Sequence, residues 1–370
     1  MTATLRLVVV GVTPVTEQVR QLTLAARDGG RLPSYPPGSH LGLRWQSGQY
    51  QALQDRRGQD QGGQDQALQN RGSQDRDSQD PGGHDRDGQN PGSQAPVSQD
   101  QGGPDRVNSY SLTGDGDSPA SYTVSVLRTP DSRGGSAWAH RLRPGDPVDA
   151  VPPRSSFPPA AKARRHLLVA GGIGITPLLA HARWHRRWGG DFTLYYAYRP
   201  GRAAHLDELR SLCGDRLHAY PGRDALWAEL GPALRRQPLG TQLYVCGPLA
   251  MIDAVTAAAR AGHWAESRLR YEAFGVAPDG PRAPFRATLA TAGRLVNVTA
   301  GETLLEALER SGVPAPSLCR SGVCGECRTP VSGGRVDHRD LVLSPEEKAS
   351  GRWIMPCVSR ADGDELELAL

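Results

Sequence analysis

The chain has 370 residues, 38% of them hydrophobic, and a formal net charge of +4. That length has room for two or three domains, each with its own core. So small a charge gives no argument for nucleic acid as a partner, and no apolar run reaches the length of a membrane span.

The chain opens MTATLRLVVV, a strand-like alternation unlike the long apolar core of a secretory leader. His40–Trp45 and Arg106–Leu112 also read as strands. Between them, over 46–105, the sequence is built from Gln, Asp, Gly, Arg and Ser in imperfect repeats: Ala52-Leu53-Gln54-Asp55-Arg56 returns as Ala67-Leu68-Gln69-Asn70-Arg71. Tyr50 is its only aromatic residue. Such a tract buries too little apolar surface to offset its chain entropy, so a disordered insertion is expected. A solenoid would need a recurring hydrophobic position in each repeat, and there is none. Loop closure cost rises only logarithmically with length, so two paired strands tolerate the insertion.

Tyr122–Arg128 reads as another strand. After it, Ser132-Arg133-Gly134-Gly135-Ser136 opens a short helix over Ala137–Leu142, and a glycine-rich helix start is a seat for an anion. The apolar run ending Ala163–Ala170 is typical of a buried parallel strand. Gly171-Gly172-Ile173-Gly174-Ile175-Thr176-Pro177 follows, then a helical pattern through Trp184. Thr176 suits the N-cap and Pro177 the first helical position. Strand, glycines, cap and helix in this order predict a diphosphate at the helix start, the competing reading being a turn shaped by packing alone. Phe192–Tyr198 is a further strand, ending at Arg199. Gln242–Val245 leads into Cys246-Gly247-Pro248 and a helix over about 250–261. Alternating strands and helices imply an open parallel sheet with its ligand at the carboxyl ends of the strands. Arg199 is then placed for a ribose or phosphate, and Cys246 for a cofactor wall. Two anion seats suggest two phosphorylated cofactors.

Four cysteines near the C-terminus, Cys319, Cys324, Cys327 and Cys357, have the spacing C-x4-C-x2-C-x29-C. This is the plant-type arrangement for four thiolates on a [2Fe–2S] cluster. Gly322 and Gly325 permit the positive-φ turns that such a loop needs. Zinc sites more often pair two C-x2-C knuckles, and a disulfide framework suits small secreted domains. Free thiolates on a cluster point to a reducing compartment, so the cytoplasm is expected.

Taken together, Tyr110-Ser111-Leu112, Ser-Arg-Gly-Gly-Ser at 132–136, Pro153-Arg154-Ser155-Ser156-Phe157-Pro158, the Gly171–Pro177 turn, Cys246-Gly247-Pro248 and the cysteine quartet closely resemble the phthalate dioxygenase reductase family, within the ferredoxin–NADP reductase superfamily. The resemblance implies three parts: an FMN-binding antiparallel β-barrel over 1–160, an NADH-binding α/β parallel-sheet domain over 163–276, and an α+β, β-grasp ferredoxin-like domain over 283–370. It carries FMN on Tyr110, Ser111 and Leu112, with Gly134, Gly135 and Ser136 at the phosphate. Gly171, Gly172, Gly174, Thr176, Arg199, Cys246, Gly247 and Pro248 fall to the nicotinamide nucleotide, and Phe274 lies near the flavin. The family's arginine two residues before the tyrosine is replaced by Asn108, with Arg106 as its substitute.

NADH gives up two electrons as hydride, whereas the cluster takes one, so a flavin must divide the pair. Ser111 and Cys246 are the residues expected beside that transfer. The implied acceptor is a terminal oxygenase, a Rieske-type aromatic oxygenase or demethylase, with a cytochrome P450 as the alternative. A non-catalytic iron–sulfur redox sensor is the rival from another class.

Overall fold

The strands of the front part pack one face inward because they carry alternating buried positions, as in Val19–Ala26, where Leu22 and Leu24 are buried. The computed structural model describes residues 4–46, 106–129, 134–155, 157–236, 238–275 and 282–370. The expected disordered insertion lies, but for Gln46, outside the described residues. The Arg106 guanidinium lies 5.5 Å from the centroid of the Trp45 ring.

The first sheet contains β1 (Leu5–Thr16), β2 (Val19–Ala26), β3 (Ser39–Trp45), β4 (Arg106–Ser111), β5 (Ser121–Leu127) and β6 (Pro147–Ser155). Their order is β4-β3-β6-β1-β2-β5, and the pairs β1–β2, β1–β6, β2–β5 and β3–β6 are antiparallel. The two outermost strands of that order meet through an antiparallel bridge between Leu112 and Val124. The Thr113 N–H donates to the Thr123 carbonyl at 2.9 Å beside it. Joining the edges closes the sheet as a barrel and leaves few ladder groups unpaired. A short helix, α1 (Gly135–Ala139), follows β5, beginning two residues before the expected helix and ending three before its expected end.

The second sheet is parallel, in the order β11-β10-β7-β8-β9, with β7 (Arg165–Gly171), β8 (Phe192–Ala197), β9 (Leu217–Tyr220), β10 (Thr241–Cys246) and β11 (Leu269–Glu272). Alternate side chains enter two cores. Leu168, Ala170, Leu194, Tyr196 and Tyr244 face one, with Leu178 and Leu179 of α2 (Ile175–Trp188) and Leu209 of α3 (Leu206–Cys213). Leu167, Val169, Leu243 and Val245 face the other, with Leu226 and Leu230 of α4 (Arg223–Arg235) and Ile252 and Val255 of α5 (Leu249–Ala261). Two arginines of α2 tie this layer to the barrel. Arg183 donates to the Thr113 carbonyl at 2.6 Å, and Arg187 pairs with Asp115 at 2.8 Å and Asp117 at 2.6 Å.

The third sheet is mixed, in the order β13-β12-β16-β14-β15, with β12 (Phe285–Leu289), β13 (Arg294–Val298), β14 (Thr329–Asp337), β15 (Trp353–Ile354) and β16 (Arg360–Leu368). β12 and β16 run parallel. The helix α6 (Leu304–Arg310) opens with a capping box between Thr303 and Glu306, two backbone donors satisfied reciprocally. It buries Leu304, Ala307 and Leu308 on the sheet. A second short helix, α7 (Pro345–Ala349), has the same box between Ser344 and Glu347.

Three histidines, His166 of β7 and His181 and His185 of α2, meet where that helix packs on the parallel sheet. The His166 and His185 rings lie 4.3 Å apart, and the His181 ring lies 4.9 Å from that of Tyr244. The His181 Nε2 is bonded to the Phe157 carbonyl at 2.8 Å, whereas neither ring nitrogen of His185 has a hydrogen-bond partner. Burial pushes His166 down to about 4, and His181 and His185 to about 3, from the ordinary 6.5. Between those values and 6.5 the unfolded chain binds more protons than the folded one, so stability falls as pH drops below about 6.5. The expected loss is about 1.4 kcal/mol per pH unit for each imidazole. Urea unfolding followed by tryptophan fluorescence between pH 7 and 4.5 should show this slope, and His185→Phe should make it shallower by about one proton.

Candidate functional site

The carboxyl ends of β7 and β10 lie side by side, and their helices leave for opposite faces of the sheet. That divergence opens a crevice at the strand ends. Gly171, Gly172, Gly174, Gly247 and Pro248 line a cleft of about 1040 Å³ there, together with Arg199 and Phe274. Val19 and Leu127 of the barrel form part of its wall.

The glycines of the two turns do different things. A Cβ on Gly174 would lie 2.3 Å from the Cys246 carbonyl oxygen and 2.6 Å from the Gly247 nitrogen. Gly171 is held as closely by Met251 and Pro248. Gly174 needs glycine because the turns pack backbone to backbone there, whereas Gly171 is crowded by side-chain atoms. Gly172 has φ 55°, and a methyl group added to it would meet nothing within 4 Å. It therefore presents bare backbone to open space, as a phosphate requires.

Thr176 departs from its expected place. The residue preceding α2 is Gly174, without a side-chain cap, and the Thr176 hydroxyl donates back to the Ile173 carbonyl at 3.0 Å. The residue is one position inside the helix and buried. With Gly174 already turning the chain, the hydroxyl finds the carbonyl of the preceding turn instead of a free N–H.

Cys246 ends β10 fully buried, and burial with the neighbouring Glu272 carboxyl pushes its thiol up. Glu272 is its partner across the β10–β11 pair. Burial raises that carboxyl to about 8, and its Oε2 has no hydrogen-bond partner. At neutral pH the group therefore keeps its proton. Sequence reasoning did not single out Glu272, although an acidic residue closing a strand just before Phe274-Gly275 was a usable signal. It also passed over Arg202 and Arg223, both of which line the cleft.

On the barrel, Tyr110 and Ser111 end β4, and Leu112 follows with its N–H donated to the Ser39 carbonyl at 2.9 Å. Among the described residues the Tyr110 hydroxyl and Ser109 Oγ are buried without a hydrogen-bond partner, and burial raises the Tyr110 phenol. Polar atoms orphaned in this way fit a missing polar ligand. Gly134 takes φ 105° before α1, and Ser136 Oγ accepts from the Thr129 N–H at 3.3 Å. A Cβ on Gly135 would fall 2.1 Å from Asn108 Oδ1. The Gly-Gly-Ser turn therefore sits directly on β4, with Asn108 filling the space between. Arg106 opens β4, with its guanidinium over the Trp45 ring.

The four cysteines form two pairs. Cys327 Sγ lies 3.3 Å from Cys357 Sγ, and Cys319 is hydrogen-bonded to Cys324. Among the described residues no three His, Cys, Asp or Glu side chains converge as ligands of one metal ion. Two pairs of thiols suit a two-iron core with two ligands at each iron. Cys319 is pushed down to about 5, by its bond with Cys324 first and then by Ser321 and the Val323 N–H. The Ser321 N–H reaches Cys319 Sγ at 3.4 Å. Cys357 likewise pulls the Cys327 thiol down. Positive φ at Arg320, Gly322 and Gly325 turns successive N–H groups into a concavity suited to an anion. An ion pair between Arg320 and Glu309 of α6 braces the loop.

This loop meets both other layers. A Cβ on Gly275 would be 3.2 Å from Ser321 Cβ. Val323 and Leu341 pack on the parallel-sheet core, and Arg154 of β6 lies 3.5 Å from Glu326. Phe274 is thus a cleft wall one residue away from the cysteine loop.

The sequence matches the dimethylamine monooxygenase subunit DmmA-like N-terminal domain over residues 147–269 and the 2Fe-2S iron-sulfur cluster binding domain over 288–362. It is 45% identical to the heme-dependent oxidative N-demethylase beta subunit of Ectopseudomonas mendocina, over 72% of this chain and 85% of that one. It is 37% identical to the phthalate dioxygenase reductase of Burkholderia cepacia, over 71% and 83%. A solved phthalate dioxygenase reductase, described as a modular structure for electron transfer from pyridine nucleotides to [2Fe-2S], superposes with a TM-score of 0.70. That match has 29% identity and covers 100% of this chain and 98% of the other.

Substituting the packing glycine should separate it from the open one. Gly174→Ala is expected to cost about 1–3 kcal/mol, because only backbone atoms are there to yield. Thermal melts should record the fall, with nucleotide affinity dropping alongside it.

Proposed function

The chain belongs to the phthalate dioxygenase reductase family, and on that premise we propose that it is the reductase component of a multicomponent oxygenase. It is an oxidoreductase that moves electrons from NADH through FMN and a [2Fe–2S] cluster to a separate oxygenase or demethylase. The observation that carries this reading is the contact of Gly275 with Ser321, which joins the donor cleft to the cysteine loop. FMN held there would supply the chemistry that divides a hydride into single electrons.

The residues divide the work of holding these groups. Gly172 offers backbone to a diphosphate, and Gly247 and Pro248 shape the wall of the cleft. Tyr110 and Ser111, with the backbone of Gly134, Gly135 and Ser136, hold FMN. Ser111 and Cys246 are assigned beside the hydride path, Cys246 from behind the Gly247–Pro248 wall, where its side chain is buried in the sheet core. Cys319 with Cys324, and Cys327 with Cys357, each take one iron. The three parts span 1–160, 163–276 and 283–370. Among the described residues no helix is long and apolar enough to cross a membrane, and the free thiols support a cytoplasmic setting.

The 45% identity to a subunit of a heme-dependent N-demethylase supports a haem-dependent oxygenase as the acceptor, ahead of a Rieske-type one. Rates of electron delivery to an oxygenase of each type, measured by stopped flow, should favour the haem protein.

Purified holoprotein should contain FMN, two irons and two acid-labile sulfides per chain. Cys327→Ser should lose the cluster and lower NADH-dependent cytochrome c reduction more than tenfold. Ferricyanide, which accepts electrons from flavin directly, should still be reduced. A preparation that binds iron yet leaves its flavin oxidised under excess NADH would instead be a redox sensor.

A further inference from the structure

In dinucleotide folds the end of the second strand selects the donor. A carboxylate there bonds the ribose 2′-hydroxyl of NAD, whereas an arginine accommodates the 2′-phosphate of NADP. In this chain β8 runs into Tyr198-Arg199-Pro200-Gly201-Arg202, a stretch without Asp or Glu.

The stretch is a tight turn. The Arg202 N–H donates to the Arg199 carbonyl at 2.9 Å, and Gly201 has φ 73°. Proline second and a positive-φ glycine third are the signature of a type II turn, whose end residues lie within about 7 Å. Arg199 and Arg202 occupy those two ends. Among the described residues neither has an ion-pair partner, and both line the cleft. Arg223, the first residue of α4, lines it as well. Among the described residues its one ion-pair partner is Asp224 at 3.6 Å, and both side chains are largely exposed, a pairing of little energetic weight.

The position of these arginines fits one end of the ligand. In the strand order β11-β10-β7-β8-β9, Gly247, Pro248 and Phe274 lie at the β10–β11 side of the central turn. Arg199, Arg202 and Arg223 lie at the β8–β9 side. A dinucleotide with its nicotinamide near Phe274 and its diphosphate at Gly172 therefore brings its adenosine ribose to the arginines.

We propose that Arg199, Arg202 and Arg223 form a 2′-phosphate site, so that the chain takes NADPH at least as readily as NADH. The inference rests on the cleft being the pyridine-nucleotide site. Calorimetric titration of the holoprotein with 2′,5′-ADP and with 5′-AMP tests it without turnover. The 2′-phosphorylated compound should bind at least tenfold tighter, with an advantage that shrinks as salt rises. The double variant Arg202→Ala/Arg223→Ala should lower the ratio of the two affinities about tenfold. The ratio of kcat/KM for NADPH over NADH should fall in parallel. Equal binding of the two compounds, or a preference that survives the double variant, overturns the 2′-phosphate site while leaving the cleft reading intact. Failure of both compounds to bind, with FMN present, overturns the cleft reading and the site with it.

Discussion

At Gly174 the backbone of one strand-to-helix turn touches the Cys246–Gly247 peptide of another, with no room for a methyl group between them. The rest of the donor site follows from this contact. It holds the ends of β7 and β10 level while α2 and α5 diverge to opposite faces, and the crevice is the space that their divergence leaves. Cys246 and Glu272, partners across β10 and β11, lie buried behind the crevice wall, where burial favours the neutral form of both.

The cysteine loop is fastened to this arrangement at three points of unequal strength. Val323 and Leu341 pack into the parallel-sheet core, the kind of contact that contributes in proportion to area removed from water. Gly275 faces the Ser321 side chain so closely that an added Cβ would lie 3.2 Å from Ser321 Cβ. The Arg154–Glu326 pair is exposed on both sides, and such pairs contribute about 1 kcal/mol or less. The attachment therefore depends on apolar packing, and the ion pair chiefly sets orientation.

Much of the framework was legible in the residues. Buried runs such as Leu167–Ala170 and Leu194–Tyr196 can be satisfied only in a sheet covered on both faces. The strands β3, β4, β5, β7, β8 and β10 fall within two residues of where the sequence put them, while β2, β6, β9, β11 and the strands of the third sheet carried no pattern that was read as a strand. Helix starts were less legible. Thr176 carries the signature of a cap, yet Gly174 turns the chain first and the hydroxyl bonds inward. The histidines were least legible. His166 lies on β7 while His181 and His185 lie on α2, and only the packing of that helix on that strand makes them one cluster.

What the sequence alone determined is the chemistry carried by local spacing: a C-x4-C-x2-C loop with positive-φ glycines, a glycine turn between strand and helix, and a tract too polar to build a core. These are short-range properties, set by backbone sterics and by the reach of neighbouring residues. The tertiary structure decided which distant groups meet. Glu272 becomes a neutral acid only because β11 lies beside β10. Arg223 joins Arg199 and Arg202 only because β8 and β9 end on the same side of the sheet. Gly275 reaches Ser321 only through the docking of the third sheet. Burial and proximity are set by long-range packing, and no local pattern in the chain encodes either.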